Sequence, residues 1–384
     1  MKYALIIDSL RSHNSLAYVC YTKGVIPIHV FSSKKILHEN FSSVTSSFFA
    51  SAVIYETPEL FLEEISEYKE DIQFVFNCTD ETHLLKNSID SLLGLPNGHN
   101  PNFIPARTNK FFLYRLLGQP ASFNNFLNFV KEHDQCIIKP ANISKSGGCI
   151  DVSFVNQEIC DIDSKDDCFI SKFFDGNEYA VDLVSANGRH KLVSVWKYIR
   201  SDTDKVWKDR VLLMPYEENP ELVNKIYSVV TGWLDKLDHK YGPVHLEMKI
   251  KGDETFCVEI NFRLNGHMHY SAVAKALENN QIDLTLNCYT TQDKFDSDLI
   301  YYKSKGYVSR VYLMNTKERM FNDVPWTEME KIPSVSVIYK HSWPWSPLKI
   351  SDKTYQGTTG IAVLFNKDPA VLLEDEMQLK KLFD

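Results

Sequence analysis

The sequence predicts an α/β protein built in three stretches: an open parallel sheet first, an antiparallel hairpin region in the middle, and a small β-rich module last. Three observations predict it. Short apolar runs alternate with helical segments up to about residue 93, the pattern of βα units around a parallel sheet. Between residues 241 and 270, apolar and polar residues alternate on both sides of one tight turn. Beyond residue 300, short strand-like runs are separated by prolines 325, 333, 344 and 347.

In the first stretch, residues 3–7 are continuously apolar, as a strand buried on both faces would be. A helix suits 15–21, closed by Gly24, and 26–31 reads as the second strand. Residues 58–69 and 81–93 look helical, with a strand at 72–77 between them. The turn Asp8–Ser15 lacks the glycines of a dinucleotide fingerprint, so no NAD or FAD site is expected here. Arg11 and His13 lie in that turn, where polar loop residues are the ordinary reading and a substrate contact the sharper one. Residues 94–106 are dense in Gly, Pro and Asn and read as a linker.

A helix should follow the linker, with Thr108 as its N-cap and Lys110 in its first turn. Residues 136–140 form a strand ending in Lys139-Pro140, followed by the small-residue loop Ser144-Lys145-Ser146-Gly147-Gly148, whose backbone N–H groups could close over phosphates. Residues 168–174 give another strand. Residues 179–184 and 191–197 pair around Ala186-Asn187-Gly188. The polar, irregular stretch 199–210 has the length of a functional cover, and 221–237 is an amphipathic helix that packs.

The centre of the chain is the hairpin that follows. Val244, Leu246, Met248 and Ile250 share one face of its first strand, and His245, Glu247 and Lys249 the other. On the second strand Phe256, Val258, Ile260 and Phe262 alternate with Glu259, Asn261 and Arg263. Pairing Leu246 with Ile260, Met248 with Val258 and Ile250 with Phe256 makes one face wholly apolar. The same register sets Glu247 against Glu259 and His245 against Asn261, whereas registers two residues away keep the faces but not that pairing. Like charges directly opposite are destabilising, and a divalent cation would relieve the conflict. Two carboxylates and an amide oxygen suit Mg²⁺, a hard cation that completes its shell with water and phosphate oxygens. A solvated strand face that merely aligns two glutamates accounts for the residues of an isolated hairpin equally well. Arg263 on the same face and Gly266 at the strand's close favour a site.

Glu247 on one strand, with Glu259-Ile260-Asn261 and Arg263 on the next, resembles the metal-binding signature of the ATP-grasp ligases, nearest to the carboxylate–amine ligases that include the L-amino-acid ligases. The resemblance implies an ATP-grasp fold: an N-terminal open parallel α/β domain over 1–106, a two-lobed ATP-binding region over 107–298 and a β-rich C-terminal module over 299–384. It implies ATP and Mg²⁺, or Mn²⁺ in its place, as cofactors. Glu247, Glu259 and Asn261 would hold the metal, and Arg263, Glu247 and Glu259 would serve catalysis. Lys110 and Lys139 would reach the nucleotide phosphates beneath the loop containing Ser146 and Gly147. Lys172, Phe173 and Phe174 would form the adenine hinge, and Glu178 would take the ribose hydroxyls. The chain departs from the pattern at Ser171, where the hinge usually carries an acid. The implied reaction is ATP-dependent joining of a small-molecule carboxylate to an amine, with a homodimer allowed. A non-catalytic nucleotide-binding regulator and a ligase acting on a protein tail are the alternatives.

Composition agrees with a soluble globular chain: 384 residues, 44% hydrophobic and 24% charged, with a net charge of −8. That charge and the lack of a long basic run argue against nucleic acid or an anionic membrane as main partner. The eight cysteines show no C-x-x-C pair and read as reduced thiols. An early charge breaks any leader core, and no apolar run approaches a membrane span, so the cytoplasm is expected. His267 and His269 follow the hairpin without a third zinc ligand at suitable spacing, and the segment Trp343-Pro344-Trp345 would cover a core or line a pocket.

Overall fold

A computed structural model describes residues 1–9, 14–36, 49–96, 100–124, 126–133, 135–142, 150–152, 168–200, 208–266, 270–297, 300–342, 344–350 and 358–384. Arg11, His13, Ser146, Gly147, His267, His269 and Trp343 lie outside these residues.

The N-terminal stretch alternates as its apolar runs demand: β1 (Lys2–Ile7), α1 (Asn14–Thr22), β2 (Val25–Phe31), β3 (Ser51–Ile54), α2 (Pro58–Glu64), β4 (Ile72–Asn77) and α3 (His83–Leu93). The strands form one parallel sheet in the order β3-β2-β1-β4. Leu5, Ile7, Ile28, Val30 and Val75 pack there with Phe61, Ile65 and Ile89. Chain direction across the sheet reverses between β1 and β4. Such a reversal opens a crevice at the carboxyl ends of the strands, where ligands of open α/β sheets bind.

The linker is more ordered than its composition suggests. Pro101–Phe103 forms a 3₁₀ turn that runs into α4 (Ile104–Thr108). Thr108 therefore ends a helix instead of capping one. Asn109 is the N-cap of α5 (Lys110–Leu117), its Oδ1 accepting from the N–H groups of Phe111 at 2.9 Å and Phe112 at 3.3 Å. Asn and Thr are both good caps, and the short preceding helix decides between them.

Two antiparallel sheets follow. The smaller contains β5 (Ala121–Ser122), β6 (Cys136–Pro140), β7 (Ile150–Val152) and β8 (Cys168–Lys172), in the order β5-β8-β6-β7, with α6 (Phe126–Glu132) against it. The larger begins with β9 (Asn177–Ala186) and β10 (Arg189–Arg200), joined through Asn187 and Gly188, both at positive φ. It continues through β11 (Lys208–Leu213), α7 (Pro220–Lys236), β12 (Gly242–Lys251) and β13 (Glu254–Asn261). Val223, Ile226, Val230, Trp233 and Leu234 form the buried stripe of α7. After α8 (Tyr270–Ala276), α9 (Gln281–Thr290) and α10 (Gln292–Ser297) come β14 (Tyr307–Leu313), α11 (Trp326–Glu330), β15 (Val335–Lys340), β16 (Gly360–Asn366) and α12 (Pro369–Phe383).

The large sheet has the order β13-β12-β9-β10-β11-β14-β16-β15, so the C-terminal strands extend the sheet that carries the central hairpin. Beneath them a separate apolar cluster joins Val311, Leu313, Trp326 and Met329 to Leu372, Leu379 and Phe383 of α12. Trp345 is 80% exposed, so it does not cover that core. The six described cysteines are free thiols. Among the described residues no helix is long and apolar enough to cross a membrane.

Candidate active site

The site grows from the β12–β13 hairpin. Gly252 takes the positive φ of 57° that the two-residue turn requires. Near the open end, the register is the one that sets the two glutamates against each other: His245 opposite Asn261, Leu246 opposite Ile260, Glu247 opposite Glu259. Towards the turn it shifts by one residue. Met248 faces Cys257, not Val258, and Ile250 faces Thr255, not Phe256. Val258 is the extra residue of a β-bulge. The bulge lets Cys257 be fully buried while Glu259 still faces Glu247.

Each carboxylate has its own counterpart. Tyr198 Oη donates to Glu247 Oε1 at 2.5 Å. Lys110 Nζ lies 3.2 Å from Glu259 Oε2, and Asn261 Nδ2 donates to Glu259 Oε1 at 2.9 Å. Burial pushes the Glu259 pKa up, but Lys110, the Asn261 hydrogen bond and nearby His245 outweigh it and hold the carboxyl down at about 2. Helix α5 delivers Lys110 here, because its Asn109 cap fixes the first turn and the Lys110 N–H bonds Ala141 O at 2.7 Å.

Lys139 comes from the small sheet. Its ammonium donates to Tyr114 Oη at 2.9 Å, and Tyr114 Oη donates to Val258 O at 3.0 Å, which ties Lys139 to the bulge beside Glu259. The two sheets meet at residues 172–178. Lys249 Nζ donates to Phe174 O at 3.1 Å and lies 4.9 Å from the Phe173 ring centroid. Phe174 stacks on Phe256 at 5.6 Å. Glu178, 5% exposed on β9, stands opposite Lys249 and accepts from the Arg200 guanidinium. Lys172 is exposed at the end of β8.

Arg263 follows β13. Its Nε and Nη2 donate to the two carboxylate oxygens of Asp80, each at 2.8 Å, and Nη1 donates to Leu264 O at 3.0 Å. Burial alone would pull the guanidinium pKa down; Asp80 overrides it, and the pKa is raised. Behind the hairpin lies a buried polar network. Asp182, 1% exposed, accepts from Ser194 Oγ at 2.7 Å, Trp196 Nε1 at 2.9 Å and Asn265 Nδ2 at 3.2 Å, and faces His245 Nδ1 at 2.8 Å.

Residues 154–271 match the ATP-grasp domain family. The whole chain superposes on solved structures at low sequence identity. The L-amino acid ligase from Bacillus licheniformis matches with a TM-score of 0.78 at 16% identity, over 100% of this chain and 97% of that one. The N5-carboxyaminoimidazole ribonucleotide synthetase from Thermotoga maritima gives 0.69 at 15% identity, over 100% and 98%. The phosphoribosylglycinamide synthetase from Anaerococcus prevotii gives 0.67 at 12% identity, over 99% and 98%. The chain has the ATP-grasp fold. No protein of curated function matches it in sequence.

The fold gathers Lys110, Lys139, Glu247, Glu259, Asn261 and Arg263 around the hairpin, and places Phe173, Phe174 and Glu178 where the sheets join. The residues fit a hard divalent cation. Asn261 is 2% exposed, and its Oδ1 is buried without a hydrogen-bond partner while its Nδ2 is committed to Glu259. Leaving an amide oxygen buried and unpaired is costly unless something binds it. Among the described residues no three His, Cys, Asp or Glu side chains gather as a metal cage. Mg²⁺ does not need one, since two carboxylates, an amide oxygen, water and phosphate oxygens suffice.

Sequence reading missed Tyr198, Arg200, Asp80 and Asp182. An acid inside the apolar run 179–184 marks Asp182 in retrospect. Nothing local marks Asp80, which lies 183 residues from its partner.

Proposed function

We propose that this protein is an ATP-dependent carboxylate–amine ligase that joins two small molecules, amino acids foremost, through an acylphosphate. The observation that carries the reading is Glu247 facing Glu259 beside the unpaired Asn261 Oδ1, with Lys110 ion-paired to Glu259 and Arg263 two residues beyond Asn261. Glu247, Glu259 and Asn261 would hold Mg²⁺, which supplies charge neutralisation for the β- and γ-phosphates when bound.

The chain's own residues then have separable tasks. Lys110 and Lys139 offer ammonium groups to the phosphate chain, and Glu178 offers its carboxylate to the ribose hydroxyls. Phe173 and Phe174 supply aromatic surface and backbone groups for the adenine, with Lys172 at the edge. The loop of Ser146 and Gly147 would close over the phosphates. Arg263 offers its remaining N–H groups to charge that develops on the transferred phosphoryl group and on the acyl oxygen. The substrate carboxylate oxygen bonds to the γ-phosphorus as the bond to ADP breaks. The amine nitrogen then bonds to the acyl carbon, the C–O bond to phosphate breaks, and the amine proton leaves with phosphate. The reaction belongs in the cytoplasm, where ATP and free thiols coexist.

A phosphate-release screen of amino acids and amines with ATP and Mg²⁺ tests the proposal, with products identified by mass. Phosphate release that needs both a carboxylate and an amine, with a product lighter than their sum by one water, is the expected outcome. Release that ignores the amine, or no release with any pair, would overturn the reading.

A further inference from the structure

The Asp80–Arg263 pair joins two parts of the chain that are otherwise remote. Asp80 lies just beyond β4, at the carboxyl edge of the parallel sheet and beside the point where strand order reverses. Its loop is braced from within: Asn77 Nδ2 donates to Thr79 O at 3.1 Å, and Thr82 Oγ1 donates to the same carbonyl at 3.0 Å. The Cys78 N–H bonds Ile7 O at 3.1 Å, which anchors the loop to β1. Arg263 is anchored at its other end, because the Asn265 N–H bonds Gln281 Oε1 at 2.9 Å and Asn265 Nδ2 bonds Asp182. Backbone and fork are therefore held by parts of the chain that belong to different sheets.

The pairing matters because of what else surrounds Arg263. Its charge feels Glu259 and Glu81 as well as Asp80. An Arg without a bidentate partner would be drawn towards Glu259, which the cation needs. Two parallel N–H···O bonds fix the plane of a guanidinium as well as its position. They use Nε and one N–H of Nη2, and Leu264 O takes one N–H of Nη1, so one N–H on each Nη stays available to an oxyanion. The side chains of Arg263 and Asp80 remain 15% and 17% exposed, enough for a ligand in the crevice to reach those groups.

We infer that Asp80 is the positioning residue for Arg263: the parallel-sheet domain aims the guanidinium of the hairpin site and keeps it off Glu259. The inference rests on the ligase reading for its catalytic consequence, but the aiming itself can be read without turnover.

Two measurements test it. In the first, the Arg263 Nε–H resonance is assigned by its loss in Arg263→Lys and followed in Asp80→Asn. The signal should persist in the parent protein and broaden or disappear through fast exchange in Asp80→Asn; an unchanged signal overturns the aiming. In the second, kinetics are compared for Asp80→Asn, Arg263→Lys and the double variant. Asp80→Asn should lower kcat by about tenfold or more with KM for ATP within about threefold, and the double variant should be no slower than Arg263→Lys. Asp80→Glu should recover part of the loss. A kcat within about twofold of the parent, or losses that multiply in the double variant, would sink the role. If the parent releases no phosphate with any substrate pair, the ligase reading falls and the resonance alone decides the aiming.

Discussion

At the scale of single residues, the site is a set of charges that would be costly if any stood alone. Glu259 keeps its charge under burial because Lys110, Asn261 and His245 oppose the desolvation cost. Arg263 keeps its charge because Asp80 does the same. Removal of a preorganised donor to a developing oxyanion typically costs ~3–4 kcal/mol of transition-state stabilisation, ~10²–10³ in rate. Arg263→Ala should therefore reduce turnover by about that factor while ATP still binds, because Lys110, Lys139 and Glu178, the groups proposed to hold the nucleotide, are untouched. Measuring nucleotide affinity beside phosphate release checks both halves. Near-parental turnover would mean that Arg263 only ties the two domains together, and a lost nucleotide affinity would place it on the ground-state phosphates.

At the scale of elements, short local patterns were legible and their exact pairing was not. Residues 72–77 form a strand with the bounds that their apolar run suggests. Alternation put Glu247 and Glu259 on one face, but a shift of two residues keeps the faces, so it did not by itself choose their pairing. The bulge at Val258 was not legible either, because Val258 continues the same alternation and the pattern carries no mark of an extra residue. The cap of α5 was misplaced by one position for a similar reason: Thr108 and Asn109 are both competent, and only the helix before them excludes Thr108. Asn109 now carries a definite prediction. Its Oδ1 satisfies two N–H groups at the start of the helix that presents Lys110. Asn109→Ala should cost about 1 kcal/mol of stability, within the range of ~0.5–2 kcal/mol for lost caps. Asn109→Asp, which keeps the acceptor, should stay close to the parent in denaturant unfolding. Equal loss in both variants would show that the cap bonds contribute little.

At the scale of the whole molecule, contacts remote in sequence join the parallel-sheet domain to the hairpin domain, and these were not legible because no local pattern encodes them. Beside the Asp80–Arg263 fork, the junction holds Arg107, whose guanidinium lies 4.2 Å from the Phe262 ring centroid and donates to Leu237 O at 3.0 Å. His239 lies within 3.5 Å of Arg107, and the His83 ring of α3 lies 5.3 Å from that of Phe262. Burial and the Arg107 charge hold both imidazoles neutral: His83 is lowered to about 3 and His239 well below its ordinary value. Burial alone lowers His29, inside the N-terminal sheet, to about 4. The sign follows from proton counting. Below the ordinary pKa of about 6.5 the unfolded chain takes up these protons while the folded chain does not, so stability is intact above that pH and falls as pH drops towards the folded values. At pH 5 each such histidine should cost about 2 kcal/mol, so the chain should lose several kcal/mol between about pH 7 and pH 5. Urea unfolding across that interval measures it directly, and His83→Gln should flatten the slope by about one proton. A slope that His83→Gln leaves unchanged would show that this histidine is protonated in the fold, and that the junction admits charge where its packing indicates it should not.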